Sequence, residues 1–242
     1  NIGGGVNVEG GSFTMNGGSI VGNMTNTTFG GGVYVKNDNG FTMTGGSITD
    51  NMAPYGGGVF VDNCSFNMTG GSITGNNAEI GGGVFVEDNS FNMTGGKITG
   101  NNSSSVGGGV FLYGTMTLGC TAKIAGNLKS DDKSVSNLYL KDGSTVTLGT
   151  GTDAPAPGML IGVTMESGIG KFTTSGTEAQ KACFFSDNPA YDVAFNKGTD
   201  AQGDEYLELV PHVHTDSDSD NICDECKKDL YVDRSWDETN KV

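Results

Sequence analysis

Gly81-Gly82-Gly83-Val84-Phe85-Val86-Glu87-Asp88-Asn89-Ser90-Phe91-Asn92-Met93-Thr94-Gly95-Gly96-Lys97-Ile98-Thr99-Gly100-Asn101 recurs through the chain in near copies. The Gly-Gly-Gly-Val block begins at Gly3, Gly30, Gly56, Gly81 and Gly107, so the period is 25–27 residues. A Phe-x-Met block begins at Phe13, Phe41, Phe66 and Phe91, and returns as Met116-Thr117-Leu118. Isoleucines follow at Ile20, Ile48, Ile73, Ile98 and Ile124. Three residues after each stands Asn23, Asn51, Asn76, Asn101 or Asn127. A degenerate sixth unit runs through Asn137-Leu138-Tyr139-Leu140 and Thr145-Val146-Thr147-Leu148. Repetition at such a period is the mark of a solenoid.

Within a unit, Val33-Tyr34-Val35 and Phe41-Thr42-Met43 alternate with period two, as strands do. The third segment, around Ile48, is short. Glycine and β-branched residues dominate throughout, which argues against helix. Each unit therefore reads as one coil of three strands, and stacking sets each strand about 4.8 Å from its copy. The expected fold is all-β: a right-handed, single-stranded parallel β-helix, the hand following from the rule for parallel crossovers. Val33, Val35, Phe41, Met43 and Ile48 are expected inside. They recur as Val59, Val61, Phe66, Met68 and Ile73, then as Val84, Val86, Phe91, Met93 and Ile98. Each buried side chain is worth about 1.5–3 kcal/mol. One coil cannot offset its ordering entropy, whereas a stack can. The repeated Asn is expected to form an internal ladder satisfying backbone groups at a turn.

Composition agrees with this reading. Glycine is 42 of 242 residues, yet there are only 5 Pro and no three-residue period, which excludes collagen. The net charge of −15 disfavours nucleic acid and anionic membranes as partners, and the single arginine, Arg234, leaves no basic groove for phosphates. No apolar run is long enough for a membrane helix. The 5 Cys are scattered apart from Cys223 and Cys226, and form no disulfide framework. The opening Asn1-Ile2-Gly3 already lies inside a repeat, so the chain reads as a fragment joined to further domains of a longer one. The repeat region is placed at residues 1–150. Ala154-Pro155-Ala156-Pro157 then opens irregular terminal coils and a cap over 151–210, and an acidic His/Cys/Asp module or linker follows over 211–242.

The units GGGVFVEDNSFNMTGGKITGN and GGGVYVKNDNGFTMTGGSITDN resemble the β-helix repeats of large secreted surface proteins of bacteria, especially gut Firmicutes. They are similar also to the repeats of polymorphic autotransporter adhesins. The segment from Ile161 to Asn188 resembles the one that closes such helices. The resemblance covers roughly residues 1–210. It implies a pectin lyase-like fold and an extracellular or cell-surface location. It does not fix an activity, because the same coil carries adhesins, lyases and glycosidases.

Between the two valines of each unit lies a position holding Tyr34, Phe60, Phe85, Phe111 and Tyr139. In register these rings make an outward stripe. It reads as a binding surface for sugar rings, or as a column that stacks on itself beneath a covering segment. Thr14, Asn16, Thr42, Thr44, Asn67, Thr69, Asn92 and Thr94 make an outward Thr/Asn grid, similar to that of ice-binding β-helices but read here as a solvated face. Asp62 and Glu87 fall at equivalent places on adjacent units, with Asp88 beside them, and could supply the two carboxyls of glycosidic chemistry. Lyases of this fold use calcium-binding acids and a basic residue in a groove; Lys36, Lys97 and Lys123 do not converge on one. In the tail, His212, His214, Cys223 and Cys226 offer a tetrahedral set for zinc. Asp216, Asp218, Asp220 and Asp224 offer a calcium loop instead. A disulfide between Cys223 and Cys226, or a plain linker, stays open beside both.

The expectation is a surface scaffold or adhesin-like protein that binds a glycan or a protein, with no catalytic residues assigned. A polysaccharide-active enzyme, glycosidase or lyase, and a purely structural stalk are the alternatives.

Overall fold

The computed structural model describes residues 3–26, 29–36, 40–198 and 203–213. It is a stack of parallel strands making a β-solenoid of about seven turns. The unit copies lie directly over one another. Val6 pairs with Val33, Val33 with Val59, Val59 with Val84, Val84 with Val110, Val110 with Leu138, and Leu138 with Val163. Phe13, Phe41, Phe66, Phe91, Met116 and Val146 form the second column. Ile20, Ile48, Ile73, Ile98, Ile124 and Ile161 form the third, which ends on Phe184.

These columns are the core. Every inward residue named from the sequence, from Val33 to Ile98, is buried. The phenylalanines stack ring on ring, with centroids 4.7 Å apart for Phe41 and Phe66 and 4.5 Å apart for Phe66 and Phe91.

The glycine triplets turn the chain and let the turns approach. Gly56 has φ of 63°, where a side chain is strained. Its neighbour Gly57 is fixed by space, because a Cβ there would lie 2.3 Å from Asn77 O and 2.6 Å from Gly82 O. Backbone bonds at this corner all run one way. Gly4 N–H donates to Gly30 O, Gly57 N–H to Gly81 O, and Gly82 N–H to Gly107 O, at 3.0–3.2 Å.

Two features depart from the expected three strands per unit. Asn77–Ile80, Asn102–Val106 and Leu128–Lys129 form an additional three-stranded parallel sheet just after the ladder asparagines. At the C-terminal end, Tyr191–Lys197, Glu205–Pro211 and Gly170–Lys171 form an antiparallel sheet, beside the short helix Glu178–Lys181. Phe172, Leu207 and Leu209 from this region are buried against the last coils and close the core. The parallel stacking itself continues past residue 150 through Leu160–Met165 and Phe184–Ser186.

Candidate functional site

The aromatic column lies outside the core, on the outer face of the first strand of each coil. Register places Tyr34, Phe60, Phe85, Phe111 and Tyr139 in one line. The rings stack on each other: Tyr34 on Phe60 at 5.8 Å, Phe60 on Phe85 at 4.8 Å, Phe85 on Phe111 at 4.6 Å, and Phe111 on Tyr139 at 5.6 Å, with planes 11–26° apart. Such offset stacks add about 0.5–1.5 kcal/mol per pair beyond area burial.

The expectation of an exposed stripe fails at one end. Tyr34 and Phe60 are only 2% and 1% exposed. Phe29 packs on Phe60 at 4.5 Å and on Tyr34 at 6.3 Å, and Tyr55 stands edge-on to Phe85 at 5.8 Å. Phe29 and Tyr55 immediately precede their glycine triplets, where Ile80 and Val106 stand in later turns. The covering wall is thus aromatic above and aliphatic below. Phe85, Phe111 and Tyr139 remain half-buried. Because Phe85 and Phe111 each have ring neighbours on both sides, they offer edges to solvent, not faces.

The ring that stands out is Tyr113, two residues beyond Phe111 on the same side of its strand and 43% exposed. Register sets it beside Glu87. Lys141, whose backbone N–H donates to the carbonyl of Leu112 next to Tyr113 at 3.0 Å, pairs with Glu166, and Glu166 also accepts from Asp142 N–H at 3.0 Å. The sequence reading missed Tyr113 because it does not repeat. The period-two alternation beyond Phe111 was the available signal.

The acidic pair also falls on this outer face. Glu87 lies in register with Asp62, and Asp62 with Lys36. Asp62 accepts from Tyr34 O–H at 2.9 Å and from Asn63 Nδ2 at 2.8 Å, and lies 3.0 Å from Lys36 Nζ. Burial works against its charge, but bonds from Lys36, Tyr34 and Asn63 outweigh burial and hold the carboxyl below its ordinary range. Glu87 moves the other way: burial first, then the charges of Asp62 and Asp88, push its carboxyl up. The two neighbouring carboxyls are thereby pushed in opposite directions.

The Asn ladder forms as expected, and extends further. Asn51 donates its backbone N–H and its side-chain amide to Asn76 Oδ1 at 3.0 and 2.9 Å. Asn76 repeats this onto Asn101, Asn101 onto Asn127, and Asn127 onto Asn137. Asn137 donates to Asp187, which ends the ladder. The amides of Asn76, Asn101 and Asn127 donate also to the carbonyls of Ile48, Ile73 and Ile98, each at 2.9 Å. Buried amides so fully paired serve the fold.

The Thr/Asn grid follows register, Thr14 to Thr42 to Asn67 to Asn92 to Thr117, and Asn92 donates to Asn67 at 2.9 Å. Of the tail residues, His214, Cys223, Cys226, Asp216, Asp218, Asp220 and Asp224 lie outside the described residues, as Arg234 does. His212 is described, and its Nδ1 lies 2.7 Å from Asp192 Oδ2. Both line a groove of about 660 Å³ at the cap, together with Phe185 and Tyr191. Among the described residues no three His, Cys, Asp or Glu side chains converge on a metal position. Cys64, Cys120 and Cys183 are free thiols, and burial pushes the Cys64 thiol up to about 11. Among the described residues no helix is long and apolar enough to cross a membrane.

Comparison with protein-family models, curated proteins and solved structures finds no match.

Proposed function

We propose that this chain is a non-catalytic scaffold on the surface of a bacterial cell, and that it binds a glycan or a protein on the outer face around Tyr113, Phe111 and Tyr139. One observation carries the reading. The aromatic column is closed over at Tyr34 and Phe60 but open lower down, where Tyr113 is 43% exposed beside Glu87 and the Lys141 and Glu166 pair. An exposed ring flanked by carboxylates and an ammonium suits a polyhydroxylated or polar ligand, the ring taking an apolar face and the charges taking hydroxyls. The ring edges of Phe111 and Tyr139 carry the positive side of the aromatic quadrupole and suit oxygen atoms of the same ligand. The resemblance of the repeats to bacterial surface proteins supports the location.

The test is a glycan array and a protein-binding screen, followed by Tyr113→Ala. The expected result is a ligand whose affinity falls about tenfold or more, with unchanged thermal stability, as for loss of an interface aromatic. Binding indifferent to Tyr113→Ala moves the ligand elsewhere. No binding at all leaves a stalk that only displays other domains.

A polysaccharide-active enzyme is the second reading, favoured by the opposed acidities of Asp62 and Glu87 on adjacent strands. Turnover of a polysaccharide, abolished by both Asp62→Asn and Glu87→Gln, would establish it in place of the first. A zinc or calcium ion in the tail is a separate proposal, tested by elemental analysis of the purified chain.

A further inference from the structure

The charged groups beside the aromatic column form a column of their own, and they are paired except in its middle. Lys36 lies in register with Asp62, Asp62 with Glu87, and Glu87 with Tyr113. Lys141 and Glu166 continue the line. Lys141 follows Leu140, the partner of Leu112, and Glu166 follows Met165, the partner of Leu140. Lys36 pairs with Asp62 above, and Lys141 pairs with Glu166 below. Between the two pairs, the Glu87 carboxyl makes no hydrogen bond or ion pair among the described residues, and the Tyr113 ring stacks on no other ring there. Glu87 is half-buried and Tyr113 is 43% exposed. Burial opposes the charge of Glu87 first, and the like charges of Asp62 and Asp88 add to it; the pull of Lys36 is the smallest effect.

The gap in this series is a carboxylate without a cation, next to an aromatic ring without a partner. An ammonium completes both, since it neutralises the carboxylate and is drawn to the ring's negative face. Neighbouring strands lie about 4.8 Å apart, so a pyranose lying on the Tyr113 ring brings an amino group on its own ring to the Glu87 carboxylate. Its C–H face then covers the exposed aromatic face. A lysine side chain would cover that ring with a methylene chain alone, and a lysine-rich segment would bring further ammonium groups against Lys36 and Lys141. We infer that the site between Glu87 and Tyr113 takes an amino sugar, a glycan residue carrying one ammonium. The inference rests on the reading of this face as the binding site, and narrows its ligand to one class.

The experiment titrates the whole chain with three sugars that differ at one position: methyl glucosaminide, its N-acetyl form and methyl glucoside. NMR follows the backbone amides at about pH 6.5, where the amine is largely protonated. The glucosaminide should bind about tenfold or more tightly than the other two and shift the amides of Glu87 and Tyr113. Glu87→Gln should bring its affinity down to that of methyl glucoside, and should melt no lower than the parent, so lost binding is not lost folding. Tyr113→Ala should weaken all three sugars. Asp131→Asn, which removes a carboxylate outside the column, should change none of them. Equal affinities for the three sugars, all weakened by Tyr113→Ala, would keep the binding face and overturn the amino-sugar inference alone. A preference that survives Glu87→Gln, or that Asp131→Asn lowers as much, would overturn it as general attraction to an acidic chain. Tighter binding of Nα-acetyl-lysine amide than of the glucosaminide would overturn it in favour of a protein partner. Failure of all three sugars to bind would overturn it too, while the array and Tyr113→Ala still decide the face by themselves.

Discussion

Asn137 donates its backbone N–H to one oxygen of Asp187 and its side-chain amide to the other, each at 2.6 Å. A carboxylate thus receives the donors that a further asparagine receives in every earlier coil. Thr164 adds a third donor at 3.3 Å. Asp187→Ala leaves the backbone N–H and the side-chain amide of buried Asn137 unpaired and should cost about 2 kcal/mol or more. Asp187→Asn should cost far less, because a single Oδ1 accepts both donors elsewhere in the ladder. Urea unfolding of the two variants checks the contrast.

The same residue predicts an acid dependence. Burial raises the Asp187 carboxyl above its ordinary value, against the bonds from Asn137 and Thr164. The folded chain therefore holds this proton more tightly than the unfolded one. Its contribution to stability is lowest near neutral pH and rises as pH falls through the raised value towards about 4. Asp187→Asn should remove that rise when stability is measured across the interval.

Asp62 predicts the reverse. Bonds from Lys36, Tyr34 and Asn63 hold its carboxyl down despite burial, so its stabilisation is present above about pH 4 and lost as pH falls through the lowered folded value. Tyr34→Phe removes one donor to the charged group and should cost about 1.5–3 kcal/mol near neutral pH. The gap between wild type and variant should shrink in acid, which denaturant titrations at both pH values would read.

Gly57→Ala and Gly100→Ala separate space from conformation. At Gly57 a Cβ meets two carbonyl oxygens of neighbouring coils, and the variant should lose about 3 kcal/mol or fail to fold. At Gly100 nothing lies within 4 Å, and only φ of 67° opposes a side chain. That cost is about 1–2 kcal/mol. Similar melting temperatures for the two variants would contradict the close stacking of the triplets.

Ser103 is fully buried, and its hydroxyl has no hydrogen-bond partner. Its register partner in the preceding coil is Ala78. Ser103→Ala should stabilise the chain by about 1 kcal/mol, because it removes an unpaired buried group without leaving a large cavity. A lower melting temperature would show that the hydroxyl is satisfied.

The repeat made most of the fold legible. Glycine triplets, Phe-x-Met and the isoleucines recur at one period, so aligning units against each other names the inward residues directly. Asn51, Asn76 and Asn101 were readable as a ladder for the same reason. What escaped was aperiodic. Asp187 ends the ladder 50 residues beyond Asn137, a separation that no repeat announces. Phe29 and Tyr55 occupy a position that is aliphatic in later coils, so nothing marked them as the cover over Tyr34 and Phe60. The antiparallel pairing of Tyr191–Lys197 with Glu205–Pro211 breaks the solenoid rule altogether; the sequence suggested irregular coils and a cap there, but not the pairing. At the candidate site, the line of rings was predictable, but its exposure was not, because exposure depends on which side chain arrives from the preceding turn.

Since Val33, Val59 and Val84 stand over one another with the same partners, whole coils are interchangeable parts of a ruler. Excising residues 56–80 would join Tyr55 to Gly81 and bring Val84 beneath Val33, with both ends of the molecule intact. Length can then vary in steps of about 4.8 Å while the inward columns keep the same partners. A lineage carrying this repeat can set the reach of the protein by unequal recombination alone, and leave the terminal cap and the exposed tyrosine unchanged.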